Sequence, residues 1–293
     1  MNTTAKYAGI FPALLTPFDK QDRINEQALE KLIKLNLSKG VNGFYVGGST
    51  AEAFLLSDAE RKLVYKLVKE IAGDDCTLIA HIGCISTSQA IEFGSYAAEL
   101  GYDAISSVTP FYYKFTFREI KNYYFDIAKA VDLPVLLYNI PTFSGVSLTV
   151  DNVREFLNDD RFIGIKHTSN DFFALEQFKT AFPDKLVYNG FDEMFLAGLS
   201  MGADGGIGST YNFMAEKFVA MQALFRDGKL KEAQKIQKTV NQIITALIKV
   251  GVFQGEKAVL DIMGLDFGDV RAPFEKITSA QYAFVEKEIM PLL

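Results

Sequence analysis

Short runs of apolar and β-branched residues recur along the chain and alternate with longer segments of helical spacing. Eight such runs are short enough to be buried strands. They cover Gly9–Leu15, Gly43–Gly47, Thr77–Gly83, Ala104–Val108, Pro134–Asn139, Phe162–Thr168, Leu186–Gly190 and Ala203–Gly208. A strand-then-helix order repeated eight times over about 210 residues predicts an α/β fold, the (β/α)8 TIM barrel.

Signals for helix ends fall between these runs, where the barrel requires them. An apolar stripe with helical spacing runs from Leu29 to Leu37 and closes before Gly40. Capping-box pairs mark three further helix starts, at Ser57 with Glu60, Ser86 with Gln89, and Thr116 with Glu119. A doubly wound sheet competes for the same order of elements, but no strand is followed by its GxGxxG fingerprint.

The strand signal disappears after Thr210, and helical patterns take over through 214–225, 230–249 and 278–290. No low-complexity linker, charge block or repeat separates this part from the rest. We therefore predict a single domain over 1–293, with the barrel in 1–225 and a C-terminal helical appendage in 226–293 packed on it.

Composition narrows the classes of partner. The 293 residues are 49% hydrophobic and 23% charged with a net charge of −6, so a nucleic acid or an anionic membrane is not favoured as a partner. No charged-then-apolar leader opens the sequence and no apolar run approaches a membrane span, which predicts a cytoplasmic protein. Two cysteines and two histidines make no disulfide framework and favour a mechanism without a metal.

Lys166 is the chain's most informative residue, because it lies alone in the apolar, otherwise uncharged run Phe162–Thr168. Burial lowers the pKa of an amine, so a neutral fraction can attack a ketone and form a Schiff base. Strand alternation places Phe162, Gly164, Lys166 and Thr168 on one face, with Gly164 clearing space beneath the amine. An ion pair with a buried carboxylate, or snorkelling at a strand end, is the alternative explanation.

Polar side chains gather at the strand ends, which is where TIM barrels carry their chemistry. Tyr138 ends the fifth strand and can project beside Lys166 as a proton shuttle. After the second strand, two glycines with Ser49 and Thr50 form a candidate carboxylate nest, or a plain turn.

The glycines of 202–208 invite a phosphate site, but Asp192 and Glu193 come before them. Two carboxylates repel a phosphate and accept hydrogen bonds from sugar hydroxyls, so a polyol fits better. A solvated loop or a first helical turn is the alternative for the acidic pair.

Motifs spread over the whole chain resemble those of the N-acetylneuraminate lyases, or sialic acid aldolases, within the pyruvate-dependent class I aldolase superfamily. They are GGSTAE at 47–52, TPFYY at 109–113, YNIP at 138–141, GIKHTS at 164–169, YNGFDE at 188–193, GADGGIGST at 202–210 and GVFQGEKAVL at 251–260. The resemblance implies cleavage of N-acetylneuraminate to N-acetylmannosamine and pyruvate without any cofactor.

The resemblance also implies roles for individual residues. Lys166 would form the Schiff base and Tyr138 would be the general acid/base, while Ser49 and Thr50 would hold the carboxylate. The hydroxylated remainder of the sugar acid would contact Thr168, Gly190, Asp192, Glu193 and Ser209. Family members are typically homotetramers in which the tyrosine matching Tyr112 reaches toward a neighbouring subunit's site.

One departure from the family pattern and two alternatives accompany this reading. The chain has Ala51 where the family usually has glycine, which could alter carboxylate placement. Dihydrodipicolinate synthase is the closest rival, but it has an arginine shortly after its YNxP motif, where this chain reads 142–145 as Thr-Phe-Ser-Gly. Another pyruvate aldolase or synthase remains open, as does a non-catalytic barrel that binds sugar acids.

Overall fold

Eight parallel strands form the centre of the computed structural model, which describes residues 5–293. From the second strand to the eighth, each strand pairs with the next one in sequence, and the eighth also pairs with the first. A bridge between Ala13 and Tyr45 joins the first two strands and closes the ring, so the predicted TIM barrel is confirmed. The strands are β1 (Gly9–Pro12), β2 (Gly43–Val46), β3 (Thr77–His81), β4 (Ala104–Val108), β5 (Val135–Asn139), β6 (Phe162–His167), β7 (Leu186–Asn189) and β8 (Gly205–Gly208).

Helices follow the strands and pack around the ring. Two of the predicted capping boxes form completely, at Ser57 and Thr116, whereas Ser86 only accepts a hydrogen bond from the Gln89 amide. The helices are α1 (Glu26–Ser38), α2 (Asp58–Ala72), α3 (Thr87–Glu99), α4 (Phe117–Ala130), α5 (Pro141–Ser144), α6 (Val150–Leu157), α7 (Phe172–Ala181), α8 (Phe195–Ser200), α9 (Tyr211–Arg226), α10 (Leu230–Val250), α11 (Val252–Ile262) and α12 (Ser279–Glu288).

Two apolar clusters hold the fold together. The larger lies between the sheet and the helices. The smaller fills the ring and includes Phe11, Tyr45, Leu136, Tyr138 and Tyr188. Because strand side chains alternate, β1 to β7 each contribute to both clusters, whereas the glycine-rich β8 contributes only Ile207, to the smaller one. The interior is packed rather than open. The polar site therefore has to lie at one end of this packed interior.

The predicted side-chain orientation is wrong for the first two residues of β6. Phe162 packs in the outer cluster, while Ile163 packs against the inner one. The cause is an irregular register in which Val135 pairs with Phe162 and Leu136 pairs with Gly164, so one residue of β6 is skipped. Beyond this irregularity the alternation resumes, and Ile165 faces the helices as predicted.

Gly164 does not serve the purpose expected of it. A Cβ atom added there would lie 2.1 Å from the carbonyl oxygen of Leu186 on the neighbouring strand. The glycine therefore lets the backbones of β6 and β7 approach, and Lys166 gains no space from it.

The C-terminal helices pack against the barrel and against each other. α11 begins directly after Gly251, whose φ of +93° turns the chain away from α10. The helical patterns identified in the sequence did not include α11. None of the helices described here has both the length and the apolar character required to cross a membrane.

Candidate active site

Lys166 points into the barrel and lies between two aromatic rings. Its Nζ is 4.4 Å from the centre of the Tyr45 ring and 4.2 Å from that of Tyr138. The residue is only 4% exposed, and it forms no ion pair within residues 5–293. Burial lowers the pKa of Lys166 to about 7, and Asp192 opposes this only in part. A substantial fraction of the amine is therefore neutral near pH 7.

Tyr138 is the neighbour of Lys166 across the β5–β6 pair. Its ring makes an edge contact with Tyr45, and it is 3% exposed. Burial raises the pKa of Tyr138 to about 12, although the hydroxyls of Thr168 and Ser49 lie near enough to oppose the increase. The phenol is therefore protonated at neutral pH and lies between the amine and two hydroxyl groups.

The loop after β2 is shaped by its two glycines. Gly47 has a φ of +75°, and a Cβ atom on Gly48 would lie 2.7 Å from the Tyr45 ring. The chain then enters a short 3-10 turn that begins at Ser49. Ser49 and Thr50 are half-buried, so their hydroxyls remain accessible at the barrel mouth. This geometry suits the binding of a small anion.

Ala51 fits this loop without strain. Its φ is not positive, and its carbonyl accepts a hydrogen bond of 2.9 Å from the Thr16 hydroxyl. The left-handed residue is Glu52, with a φ of +55°. The side chain of Glu52 forms a buried ion pair of 2.6 Å with Lys257 of α11, so the C-terminal helices hold the loop from behind.

Thr168 and Gly190 meet at the ends of β6 and β7. A Cβ atom on Gly190 would lie 1.9 Å from Thr168 Oγ1, so only glycine fits at this position. Thr168 is 5% exposed, and its hydroxyl has no hydrogen-bond partner of ordinary geometry within residues 5–293. That hydroxyl is available to a ligand.

Asp192 and Glu193 differ in burial although they are adjacent in the chain. Asp192 is buried, and its Oδ2 accepts hydrogen bonds from the Thr210 amide at 2.8 Å and hydroxyl at 2.6 Å. Its Oδ1 has no partner among the described residues, and burial raises the pKa of Asp192 to about 7. Glu193 is exposed and Ser209 is half-buried. Asp192 thus fixes the turn after β8 with one oxygen and leaves the other free.

Tyr112 stands apart from the groups around Lys166. It lies in the loop after β4 with a φ of +74°, is 83% exposed, and makes an edge contact with Tyr113. Within this chain its side chain projects into solvent.

His81 supports the site, although no motif in the sequence predicts a role for it. Its Nε2 accepts a hydrogen bond of 3.4 Å from the Val108 amide, which leaves the proton on Nδ1 to bond the Gly47 carbonyl at 3.0 Å. Burial lowers the pKa of His81 to about 3, so the ring stays neutral. Its ring also contacts that of Tyr138. The sequence offers no local signal for this contact, because it joins two strand ends.

The model of the dihydrodipicolinate synthetase family matches residues 6–291. The chain belongs to this family. Within it, an N-acetylneuraminate lyase of Rhizobium meliloti is 44% identical over 288 residues, which are 98% of this chain and 96% of that protein.

Two solved structures are similar over almost the whole chain. An N-acetylneuraminate lyase of Fusobacterium nucleatum, complexed with pyruvate, is 38% identical with a TM-score of 0.95, covering 100% of this chain and 99% of that one. CdNal of Clostridium difficile, in complex with mannosamine, is 38% identical with a TM-score of 0.95, covering 98% and 99%. The resemblance to lyases of the dihydrodipicolinate synthetase family, first seen in the motifs, is confirmed.

Proposed function

We propose that this chain is an N-acetylneuraminate lyase, which reversibly cleaves N-acetylneuraminate into N-acetylmannosamine and pyruvate. The observation that carries the proposal is the buried, unpaired amine of Lys166 beside the Tyr138 phenol. A Schiff base needs a neutral amine, and this environment supplies one at physiological pH. Full-length relatives bearing this name support the same substrate.

Binding places the ketone of the open-chain sugar acid next to Lys166. The substrate carboxylate binds at the hydroxyls and turn of Ser49 and Thr50, where Gly47 and Gly48 allow close approach. The hydroxylated remainder extends along Thr168 and Gly190 toward the second half of the site. That half contains Asp192, Glu193 and Ser209.

Formation of the Schiff base uses Tyr138 as an acid. The neutral amine adds to the ketone, and the phenol donates its proton to the departing hydroxyl, which leaves as water. The products are an iminium on Lys166 and a phenolate on Tyr138. The iminium's positive charge, close to the ring, offsets the desolvation that otherwise raises the pKa of Tyr138 to about 12.

Cleavage then uses the phenolate as a base. It takes the proton from the hydroxyl on the departing carbon, that carbon becomes the aldehyde of N-acetylmannosamine, and the electrons of the broken carbon–carbon bond pass to the iminium. Tyr138 then donates that proton to the enamine carbon, which gives a new iminium and a phenolate. Water hydrolyses this iminium and returns a proton to the phenolate, so pyruvate, neutral Lys166 and protonated Tyr138 are released.

Assembly and location remain predictions within this proposal. The exposure of Tyr112 suits a residue that completes the site of a neighbouring subunit, as the resemblance to tetrameric lyases implies. We therefore propose a homotetramer. A cytoplasmic location likewise remains a proposal.

The test is cleavage of N-acetylneuraminate, followed by coupling the released pyruvate to lactate dehydrogenase. We expect activity in the wild type, none in Lys166→Ala, and wild-type activity in Lys235→Ala, which removes an exposed lysine of α10. A panel of other aldehydes offered with pyruvate in the reverse direction tests the aldolase alternative. Preference for an aldehyde other than N-acetylmannosamine, or substantial cleavage by Lys166→Ala, would overturn the proposal.

A further inference from the structure

Glu52 is a buried acid at the end of the turn that carries Ser49 and Thr50. It is 3% exposed, and its backbone amide donates a hydrogen bond of 3.1 Å to the Ser49 carbonyl. Its φ of +55° is uncommon for a residue other than glycine, so neighbouring contacts have to hold it there. Any shift of Glu52 is passed to Ser49 through this short turn.

Both carboxylate oxygens of Glu52 meet groups from the C-terminal part of the chain. Oε1 lies 2.6 Å from Nζ of Lys257, in an ion pair rather than a hydrogen bond of ordinary geometry. Oε2 accepts a hydrogen bond of 2.7 Å from the backbone amide of Arg271. The side chain of Lys257 is only 1% exposed. The carboxylate is therefore held from two directions by residues outside the barrel strands.

The two groups that hold Glu52 are themselves fixed. Nζ of Lys257 donates a hydrogen bond of 2.9 Å to the Asp269 carbonyl. The guanidinium of Arg271 donates to both carboxylate oxygens of Glu60, at 2.8 and 2.9 Å. It also donates to the Leu55 carbonyl at 3.2 Å. The anchor thus has a defined position relative to the barrel mouth.

We propose that the Glu52 carboxylate, the Lys257 amine and the Arg271 amide form a positioning unit for the substrate's carboxylate. The unit fixes the turn of Ser49 and Thr50, and none of its three groups touches the substrate. This inference rests on the proposed function, because it deepens the carboxylate contact assigned to that turn. It gives the C-terminal helices a part in binding the pyruvate half of the sugar acid.

A buried ion pair has an alternative purpose, which is to stabilise the fold. Apolar residues of similar size usually stabilise a folded protein as well as such a pair does, or better. They pack without direction, however, whereas a carboxylate held at both oxygens has a fixed position. Replacing Glu52 and Lys257 together therefore separates positioning from stability, because no buried charge is left unpaired.

The first test measures trapping of pyruvate on Lys166 with cyanoborohydride as the pyruvate concentration is varied. Glu52→Met with Lys257→Met keeps both side-chain lengths, and we expect its stability in urea to remain close to that of the wild type. The half-saturating pyruvate concentration should rise about tenfold, the loss for one misaligned hydrogen bond to a charged group. The maximal trapping rate should match the wild type, because the surroundings of Lys166 are unchanged.

A second variant isolates one of the two contacts. Glu52→Gln with Lys257→Met keeps an acceptor for the Arg271 amide, so the half-saturating concentration should rise by only about threefold. It also keeps the test decisive if the first double variant fails to fold. Glu30→Met with Lys34→Met removes an exposed ion pair of α1 and should behave as the wild type.

Synthesis from pyruvate and N-acetylmannosamine provides the second readout. In the first double variant the KM for pyruvate should rise as the trapping does, while the KM for N-acetylmannosamine at saturating pyruvate should match the wild type. Wild-type half-saturation in the folded variants, or equal rises in both KM values, would overturn the inference. Absence of cleavage by the wild type would instead overturn the proposed function, whereas pyruvate trapping would still decide whether the unit positions the turn.

Discussion

Replacing Lys166 with methionine should stabilise the folded protein, because the active amine is held in an environment that disfavours its charge. The pKa of Lys166 falls from 10.5 to about 7 on folding. At about 1.4 kcal/mol per pKa unit, this corresponds to roughly 5 kcal/mol against the protonated form. Methionine has a similar length, carries no charge, and suits the ring faces of Tyr45 and Tyr138.

The sign of the pH dependence follows from linkage. The folded pKa is below the unfolded one, so the unfolded chain binds more protons between pH 7 and pH 10.5, and wild-type stability rises with pH across that window. The free-energy cost of burying the Lys166 amine is therefore present in full below pH 7 and absent above pH 10.5. We expect Lys166→Met to exceed the wild type by about 4 kcal/mol at pH 7 and by about 2 kcal/mol at pH 9.

Urea unfolding at equilibrium, at a single protein concentration so that any assembly contributes equally, measures the free energy of unfolding at both pH values. Better packing of methionine would add a gain that does not depend on pH, so the decrease of about 2 kcal/mol between pH 7 and pH 9 is the diagnostic quantity. Lys235→Met, at an exposed position of α10, controls for losing a surface charge. A stability difference that stays constant with pH, or a destabilised Lys166→Met, would refute the reasoning.

Three further changes test separate parts of the site. Tyr138→Phe should lower kcat by about a hundredfold to ten-thousandfold in the coupled assay, and an unchanged kcat would place the proton transfer elsewhere. Lys257→Met should cost about 3–5 kcal/mol in urea unfolding by leaving Glu52 buried and unpaired, and a cost below about 1 kcal/mol would mean that the carboxylate finds another partner. Gly190→Ala should displace Thr168 and reduce kcat/KM for the sugar acid by about a hundredfold. Full activity would show that Thr168 can move away from the added methyl group without affecting the substrate.

The barrel and its reactive amine could be predicted because their signals are local. Each strand is a short apolar run whose alternation and flanking turns are visible in the sequence. Lys166 is conspicuous within such a run, and the register of β6 beyond Gly164 puts it inside the barrel as predicted. Tyr138 followed from the rule that chemistry collects at the carboxyl ends of strands.

What could not be predicted depends on contacts between distant segments. The irregularity in β6 reverses the facing of Phe162 and Ile163, and only pairing with β5 reveals it. The support of Gly47 by His81 likewise joins two separate strand ends. The adjacent charges of Glu256 and Lys257 resemble an exposed helix surface in the sequence. Only tertiary packing shows both to be buried.

The central claim is that Lys166 captures a ketone through a neutral amine. Incubating the protein with pyruvate, reducing with borohydride and mapping the peptides by mass spectrometry tests it directly. The account predicts one pyruvate-derived adduct on Lys166, with a trapping rate that rises with pH to a midpoint near 7. No adduct, an adduct on another lysine, or a midpoint near 10.5 would contradict it.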